Sequence, residues 1–428
     1  MTTVISFLIV LGVLIFIHEL GHFAVAKAAG VGVEKFSLGF GPKIISVRRG
    51  ETEYRISAVP FGGYVKMVGE SPDEDVAEED KKKSFAAKPI SIRSLIVAAG
   101  SVMNLVLALV LFPLIFMLGI KVPAYFEGPP EVGYVSHGSA AEKAGIRRGD
   151  TVEEVNGERV EGWEGIYKAT ALNAEGPLRL LILREGERTD VVVNPPAGDG
   201  YGFYPPMPPV IGGLSKGFPA EKAGLKPGDR IKAVDGQPIS HWVELQEVIK
   251  SSGRERTFLV ERDGRSFEAK ITAVWNSEMK SYLVGVMQVE ETVIRSYGFF
   301  ESVGLGVKKA GELVILLFAV IKGLFSGAYS VKTLGGPIMI AQVAGRAAES
   351  GAVELMSIIA FLSLQIGIIN LFPIPVLDGG HLFFFLIERI KGKPVSEKIL
   401  GISQQVGMAL LIALMVFVTW NDVLRLFR

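Results

Sequence analysis

The chain has 428 residues, 49% of them hydrophobic, which is too long for one ordinary domain and too apolar for an ordinary soluble protein. Its 45 basic and 45 acidic side chains balance to zero, so no global charge draws it to nucleic acid. There is no cysteine, hence no disulfide framework and no thiolate ligand, and any metal must be held by His, Asp or Glu.

In chain order, Met1 to Ile17 is free of charge and runs directly into His18 and Glu19. No Lys or Arg precedes this run, so it reads as a membrane span and not as a cleaved signal peptide. Gly30 to Ser94 carries eleven Lys or Arg, which places it on the cytoplasmic side and the N-terminus outside. Within it, Lys43 to Arg48 and Thr52 to Val59 alternate around Gly50, and Gly62-Gly63-Tyr64-Val65-Lys66-Met67 continues in an extended pattern. That pattern predicts a membrane-associated β-hairpin, and its strand edge at Gly62, Gly63, Tyr64 and Val65 is expected to bind an unwound substrate. Leu95 to Ile120 is the second span, with Ser101 and Asn104 its only obviously polar residues.

The middle of the chain repeats itself. Gly138 to Trp163 (GSAAEKAGIRRGDTVEEVNGERVEGW) matches Gly217 to Trp242 (GFPAEKAGLKPGDRIKAVDGQPISHW) without a gap, at an offset of 79 residues. Each copy has a helical AEKAG, a Gly-Asp turn, a strand, and an Asn-Gly or Asp-Gly hairpin signal. The pair resembles the PDZ domains of bacterial envelope proteases. Val132-Gly133-Tyr134-Val135 and Ile211-Gly212-Gly213-Leu214 precede the copies as candidate peptide-binding strands, with loop amides suited to a chain terminus. Pro195-Pro196 and Pro205 to Pro209 mark the boundary between them. Leu313 to Ile321 is too short to cross a bilayer and reads as interfacial, whereas Leu355 to Leu377 and Ile399 to Asn421 are uncharged third and fourth spans.

The reacting groups sit at span ends. In His18-Glu19-Leu20-Gly21-His22 the two imidazoles lie four residues apart and share a helix face, so both reach one ion while Glu19 stands beside it as a base. Ionisable groups inside a membrane are costly and mark function. A catalytic zinc has three protein ligands. The first and third spans run in the same direction, so their ends share a depth, and Asp378 at the end of the third is the natural third ligand. Gly379 and Gly380 let the backbone turn closely there. Asn370, on the third span, is expected to hold substrate backbone or an oxyanion, although a helix-packing role suits it equally. His381 reads as a supporting or packing residue.

HELGH at 18 to 22, the GFGP segment at 39 to 42, Phe61-Gly62-Gly63-Tyr64-Val65, and the run from Asn370 to His381 (NLFPIPVLDGGH) resemble the site-2 protease family of intramembrane zinc metalloproteases, specifically its bacterial members with two PDZ domains. The resemblance spans essentially the whole chain. It implies one zinc ion per chain and a multi-pass bacterial inner-membrane enzyme, with the active site toward the cytoplasm and the PDZ domains in the periplasm. It further implies cleavage of single-pass membrane proteins within the lipid bilayer: a pre-trimmed anti-sigma factor, and remnant signal peptides. New C-termini would bind the PDZ domains, and nucleic acid is not a partner.

The expected fold is therefore a polytopic α-helical membrane protein with four transmembrane helices, a membrane-associated β-hairpin and two extracytoplasmic α+β PDZ domains. The boundaries are 1–126 for the first two spans and β segment, 127–204 and 205–290 for the PDZ domains, and 291–428 for interfacial helices and the last two spans. The rival reading is a membrane-anchored PDZ scaffold with a vestigial metal site; it calls for a broken motif, and this motif is whole.

Overall fold

The computed structural model describes residues 2–70, 77–172, 176–194, 200–277, 279–327, 331 and 334–426. Pro195 and Pro196, expected at the boundary between the repeats, lie outside this set. In chain order the longer helices are α1 (Thr2–Ala28), α2 (Ile90–Leu118), α3 (Trp163–Leu172), α4 (Trp242–Lys250), α5 (Phe299–Phe325), α6 (Pro337–Ser350), α7 (Ala352–Asn370), α8 (Asp378–Lys391) and α9 (Glu397–Leu426). The chain divides into two compact units, Met1–Ile120 with Ser296–Arg428, and Lys121–Arg295.

In the first unit, four helices are long and apolar enough to cross a membrane: Thr2–Ala28, Ile90–Leu118, Ala352–Asn370 and Lys398–Arg425. A span needs about 20 residues at a rise of about 1.5 Å each. Small residues let these helices approach closely, since lipid supplies no hydrophobic drive between them. A methyl group on Gly21 of α1 would collide with the Ala99 carbonyl of α2, and one on Gly367 of α7 would stand 3.0 Å from the Ser101 carbonyl. The run Leu313 to Ile321 is not a short isolated segment but the C-terminal part of α5, a helix of 27 residues. Its buried Ser302, Gly306 and Ala310 recur every fourth position as one seam, with Gly306 against the Pro113 ring of α2. At the far end of the chain, Asp422 of α9 accepts the Gly336 and Met339 amides, each at 3.0 Å, and so caps α6.

The third span differs from expectation. α7 stops at Asn370, and residues 371–377 form a non-helical loop before Asp378 opens α8. Pro373 and Pro375 explain the break, because neither donates an amide and each disfavours helix in the residue before it.

The predicted hairpin is also richer than its sequence pattern. β1 (Val33–Arg49) and β2 (Thr52–Met67) are long strands that each bend and pair twice. Residues 35–38 lie between 53–56 on one side and 63–66 on the other, while 43–49 pair with 52–57. The result is a four-stranded mixed arrangement, in which 35–38 runs parallel to 53–56 and antiparallel to 63–66, and whose edges are 43–49 and 63–67. Gly39 sits at the bend with φ +91°, where a side chain would press on the Ser57 carbonyl at 2.8 Å.

The second unit holds both repeats. Each builds a four-stranded antiparallel sheet, ordered 158–159, 151–155, 178–184, 187–193 in the first and 237–238, 230–234, 255–262, 265–272 in the second. Trp163 and Trp242 are buried in the corresponding cores. The repeated Gly-Asp turn has the same anchor in both copies: buried Asp150 pairs with Arg184 at 2.7 Å, and buried Asp229 with Arg262 at 2.6 Å.

Candidate metal centre

One helix supplies two of the expected ligands. His18 and His22 are one turn apart on α1, and their Nε2 atoms stand 3.2 Å from each other. Asp378, the first residue of α8, places Oδ2 3.5 Å from His18 Nε2 and Oδ1 3.6 Å from His22 Nε2. Donors bound to zinc at about 2.0–2.2 Å in a tetrahedron are separated by about 3.3–3.6 Å. With one ligand atom taken from each residue, the three side chains lie within 4.8 Å of one another, close enough to gather around one ion, and they are the only such His/Asp/Glu group among the described residues.

Proton placement supports the same use. His22 Nδ1 lies 2.9 Å from the Ile96 carbonyl, an oxygen that only accepts, so Nδ1 carries the hydrogen and Nε2 offers its lone pair toward Asp378. On His18, Nδ1 faces the Asn104 side chain at 3.5 Å. Asn104 is fully buried and its Oδ1 has no partner. Turning that amide would set the orphaned oxygen toward His18 Nδ1, and a hydrogen on Nδ1 leaves the His18 Nε2 lone pair available to a metal ion. Ser101 Oγ donates to Asp378 Oδ2 at 2.8 Å. The residues present therefore fit a zinc ion, and α2 furnishes the support around them. Ser101 and Asn104 were visible in the sequence as the polar residues of an apolar span; what they serve was not.

Glu19 is buried, at 8% exposure, on the same turn as the histidines. The strand edge comes to it: a methyl group on Gly63 of β2 would stand 2.9 Å from Glu19 Cγ and 2.8 Å from Ile15. Tyr64 and Val65 pair with Ser37 and Phe36 on one side, and no strand pairs with their other side among the described residues. A methyl group on Gly62 would meet the Phe40 ring, which stacks on Tyr64 at 6.1 Å.

Other expected positions are less directly engaged. Asn370 ends α7, half-buried, and no hydrogen bond of its side chain occurs among the described residues. His381 is half-buried one turn beyond Asp378 and outside the ligand group. In the second unit, Ile211–Leu214 pairs with Val286–Gln288, and Tyr134–Val135 with Phe203–Tyr204. The Ile211 side chain points into the core, and its amide is taken by the Asp229 carbonyl at 2.8 Å. The amides of Val132 and Gly133 are likewise given to Asp150 and Tyr204. Loop amides expected to receive a chain terminus are therefore partly spent on the fold. Tyr134 and Ser136 both donate to Glu247 of α4, at 2.8 and 2.6 Å, which ties the two repeats together at this strand.

Comparison with known proteins agrees with the site. A model of peptidase family M50 matches residues 6–414. The regulator of sigma-E protease RseP of Escherichia coli K12 is 35% identical over 461 residues, covering 98% of each chain. The regulator of sigma E protease of Haemophilus influenzae is 35% identical over 445 residues with the same coverage. A Neisseria meningitidis protein named as a zinc metalloprotease is 36% identical over 450 residues, the full length of both. A solved PDZ domain of an SdrC-like protein from Listeria monocytogenes aligns at 20% identity and TM-score 0.18, over 19% of this chain and 85% of its own. With the family model and these relatives spanning nearly its whole length, and with a His, His, Asp cluster spaced for one ion, the chain belongs to peptidase family M50 and is a zinc metalloprotease.

Proposed function

We propose that this protease cuts transmembrane segments of single-pass membrane proteins inside the bilayer. The observation that carries the reading is the meeting of His18, His22, Asp378 and Glu19 on and beside α1, a helix long and apolar enough to span. His18, His22 and Asp378 hold one zinc per chain. When bound, zinc supplies Lewis acidity to the hydrolytic water and the scissile carbonyl. Glu19, which need not be a ligand, takes the proton of the water and returns it to the leaving amine. Ser101 and Asn104 hold the ligands in register, and Asn370 contacts substrate backbone near the loop that carries Asp378.

A helical substrate must first be unwound, and each backbone group left unpaired in lipid costs several kcal/mol. The outer edge of Gly62, Gly63, Tyr64 and Val65 replaces those partners by strand addition, next to Glu19. Residues 127–204 and 205–290 are two PDZ domains on the periplasmic side, filtering out substrates with bulky outer domains and receiving new C-termini at Ile211, Gly212, Gly213 and Leu214. The names of the relatives support a place in sigma-E regulation; the family resemblance adds the bacterial inner membrane as the setting and, as the proposed substrates, a pre-trimmed anti-sigma factor and remnant signal peptides.

The test is zinc analysis together with cleavage of a model transmembrane peptide by purified protein in detergent. Glu19→Gln is expected to keep zinc and lose about 10²-fold or more of its turnover, while His18→Ala and Asp378→Ala lose zinc as well. Undiminished cleavage by Glu19→Gln would falsify the general-base role. Wild-type protein that binds no zinc and cuts nothing would restore the scaffold reading.

A further inference from the structure

The loop that delivers Asp378 leans on a helix that is otherwise largely exposed. α9 turns Ile402, Val406, Met408, Leu410 and Ile412 outward, yet Gly407 in its middle is buried. A methyl group on Gly407 would stand 2.9 Å from Pro375 C and Cβ, and nearer still to the Pro375 carbonyl oxygen. The closest of these atoms are backbone and cannot swing aside as a flexible side chain would. Gly401, two turns earlier on the same helix, has open space around it.

The loop is constrained from within as well. Pro373 and Pro375 fix two of its φ angles, and Val376 is held at φ +86°, a conformation that strains a β-branched residue. Such strain persists only where the surroundings over-determine it. On one side Gly379 and Gly380 tuck beneath the carbonyls of Leu371, Phe372 and Ile374; on the other, the backbone of α9 closes on Pro375. Asp378 follows Val376 by two residues, and its two oxygens stand 3.5 and 3.6 Å from the histidines.

We propose that Gly407 is a positioning residue for the metal centre: it lets α9 seat against Pro375 and so holds the strained loop where Asp378 completes the ligand set. The inference rests on the reading of His18, His22 and Asp378 as ligands. Any side chain at 407 must push Pro375 away, and the shift passes through Val376 and Leu377 to the carboxylate. Packing alone would make Gly407 a stability residue; positioning makes it a determinant of metal affinity.

The experiment compares full-length Gly407→Ala with Gly401→Ala, two exchanges of equal helix propensity, in detergent. Zinc affinity is measured by chelator competition, the ligand field by the visible spectrum of the cobalt(II)-loaded protein, and folding by thermal unfolding of the metal-free protein. Gly407→Ala is expected to weaken zinc by about 10- to 100-fold and to alter the cobalt spectrum, while Gly401→Ala changes neither. Folded Gly407→Ala with wild-type zinc affinity and cobalt spectrum overturns the proposal. Should Gly407→Ala not fold, Pro375→Gly lets the loop draw back from the added methyl. The double variant is then expected to fold and bind zinc more weakly than Pro375→Gly alone, and equal affinity overturns the proposal. Asp378→Asn separates the two levels of inference. If it leaves zinc affinity unchanged the ligand reading fails, whereas a loss there with none in Gly407→Ala removes only the role of α9.

Discussion

Ser101 on α2 donates a hydrogen bond of 2.8 Å to Asp378 on α8, and that contact fixes the carboxylate oxygen that also faces His18. Removing it leaves the fold of α2 intact, because Ala is a better helix former than Ser. Ser101→Ala is therefore expected to fold normally and to bind zinc about tenfold more weakly. Chelator competition checks this, and wild-type affinity would show that Asp378 needs no such support.

Asn104 makes a sharper case, since its orphaned oxygen suits a His18 that donates from Nδ1. Asn104→Leu removes the acceptor and is expected to weaken zinc by about 10-fold or more. Asn104→Asp keeps an acceptor oxygen and should bind more tightly than the Leu variant. Equal affinities for the two would sever Asn104 from the ligand tautomer.

Strand addition is tested by proline at Tyr64, Val65 and Lys66 in turn, because consecutive amides of a strand point to opposite sides. Tyr64 and Val65 lie opposite Ser37 and Phe36, so at one of these neighbours the lost amide faces the open edge. One backbone hydrogen bond is worth about 1 kcal/mol, roughly fivefold in rate. The loss should be larger for a strongly helical substrate than for one rich in Gly or Asn. Uniform activity at all three positions, in folded and zinc-loaded protein, removes this edge from the mechanism.

The second repeat carries a pH signature. Burial alone would raise the Asp229 carboxyl, but hydrogen bonds from Arg262 and the Lys226 amide outweigh it and hold the group below the usual carboxylate range. Its stabilisation is therefore complete above the unfolded value of about 3.9 and fades as pH falls through the lower folded value. Asp229→Asn is expected to lose about 3 kcal/mol at pH 7, the low end for a broken buried pair because Arg262 keeps some solvent contact. Hydrogen exchange of strands 230–234 and 255–262 in the full chain, followed from pH 7 to pH 3, reads both effects. A variant as protected as wild type at pH 7 refutes the assignment.

The sequence was most informative where chemistry is local. His18 and His22 meet because a helix brings every fourth residue to one face, and that needs no knowledge of the rest of the chain. The matching sheets of the two repeats followed from their turn residues. Long-range relations were hidden. Nothing local says that residues 35–38 pair on both sides, that Asn104 faces His18, or that Gly407 lies against Pro375. The apolar run from Leu355 to Leu377 read as one span because hydropathy ignores the missing amides of Pro373 and Pro375, which break it at Asn370.

The doubled pairing of β1 and β2 leaves two edges, and only 63–67 lies beside Glu19. The other, 43–49, exposes Ile44, Ile45 and Val47 between charged ends at Lys43 and at Arg48 and Arg49. An apolar edge with unpaired backbone groups is a template for another chain. Once extracted from lipid, two molecules of this protease have a ready means of joining sheet to sheet along 43–49. A detergent that shields helices but not this edge will favour oligomers that reflect the extraction and say nothing of the enzyme at work.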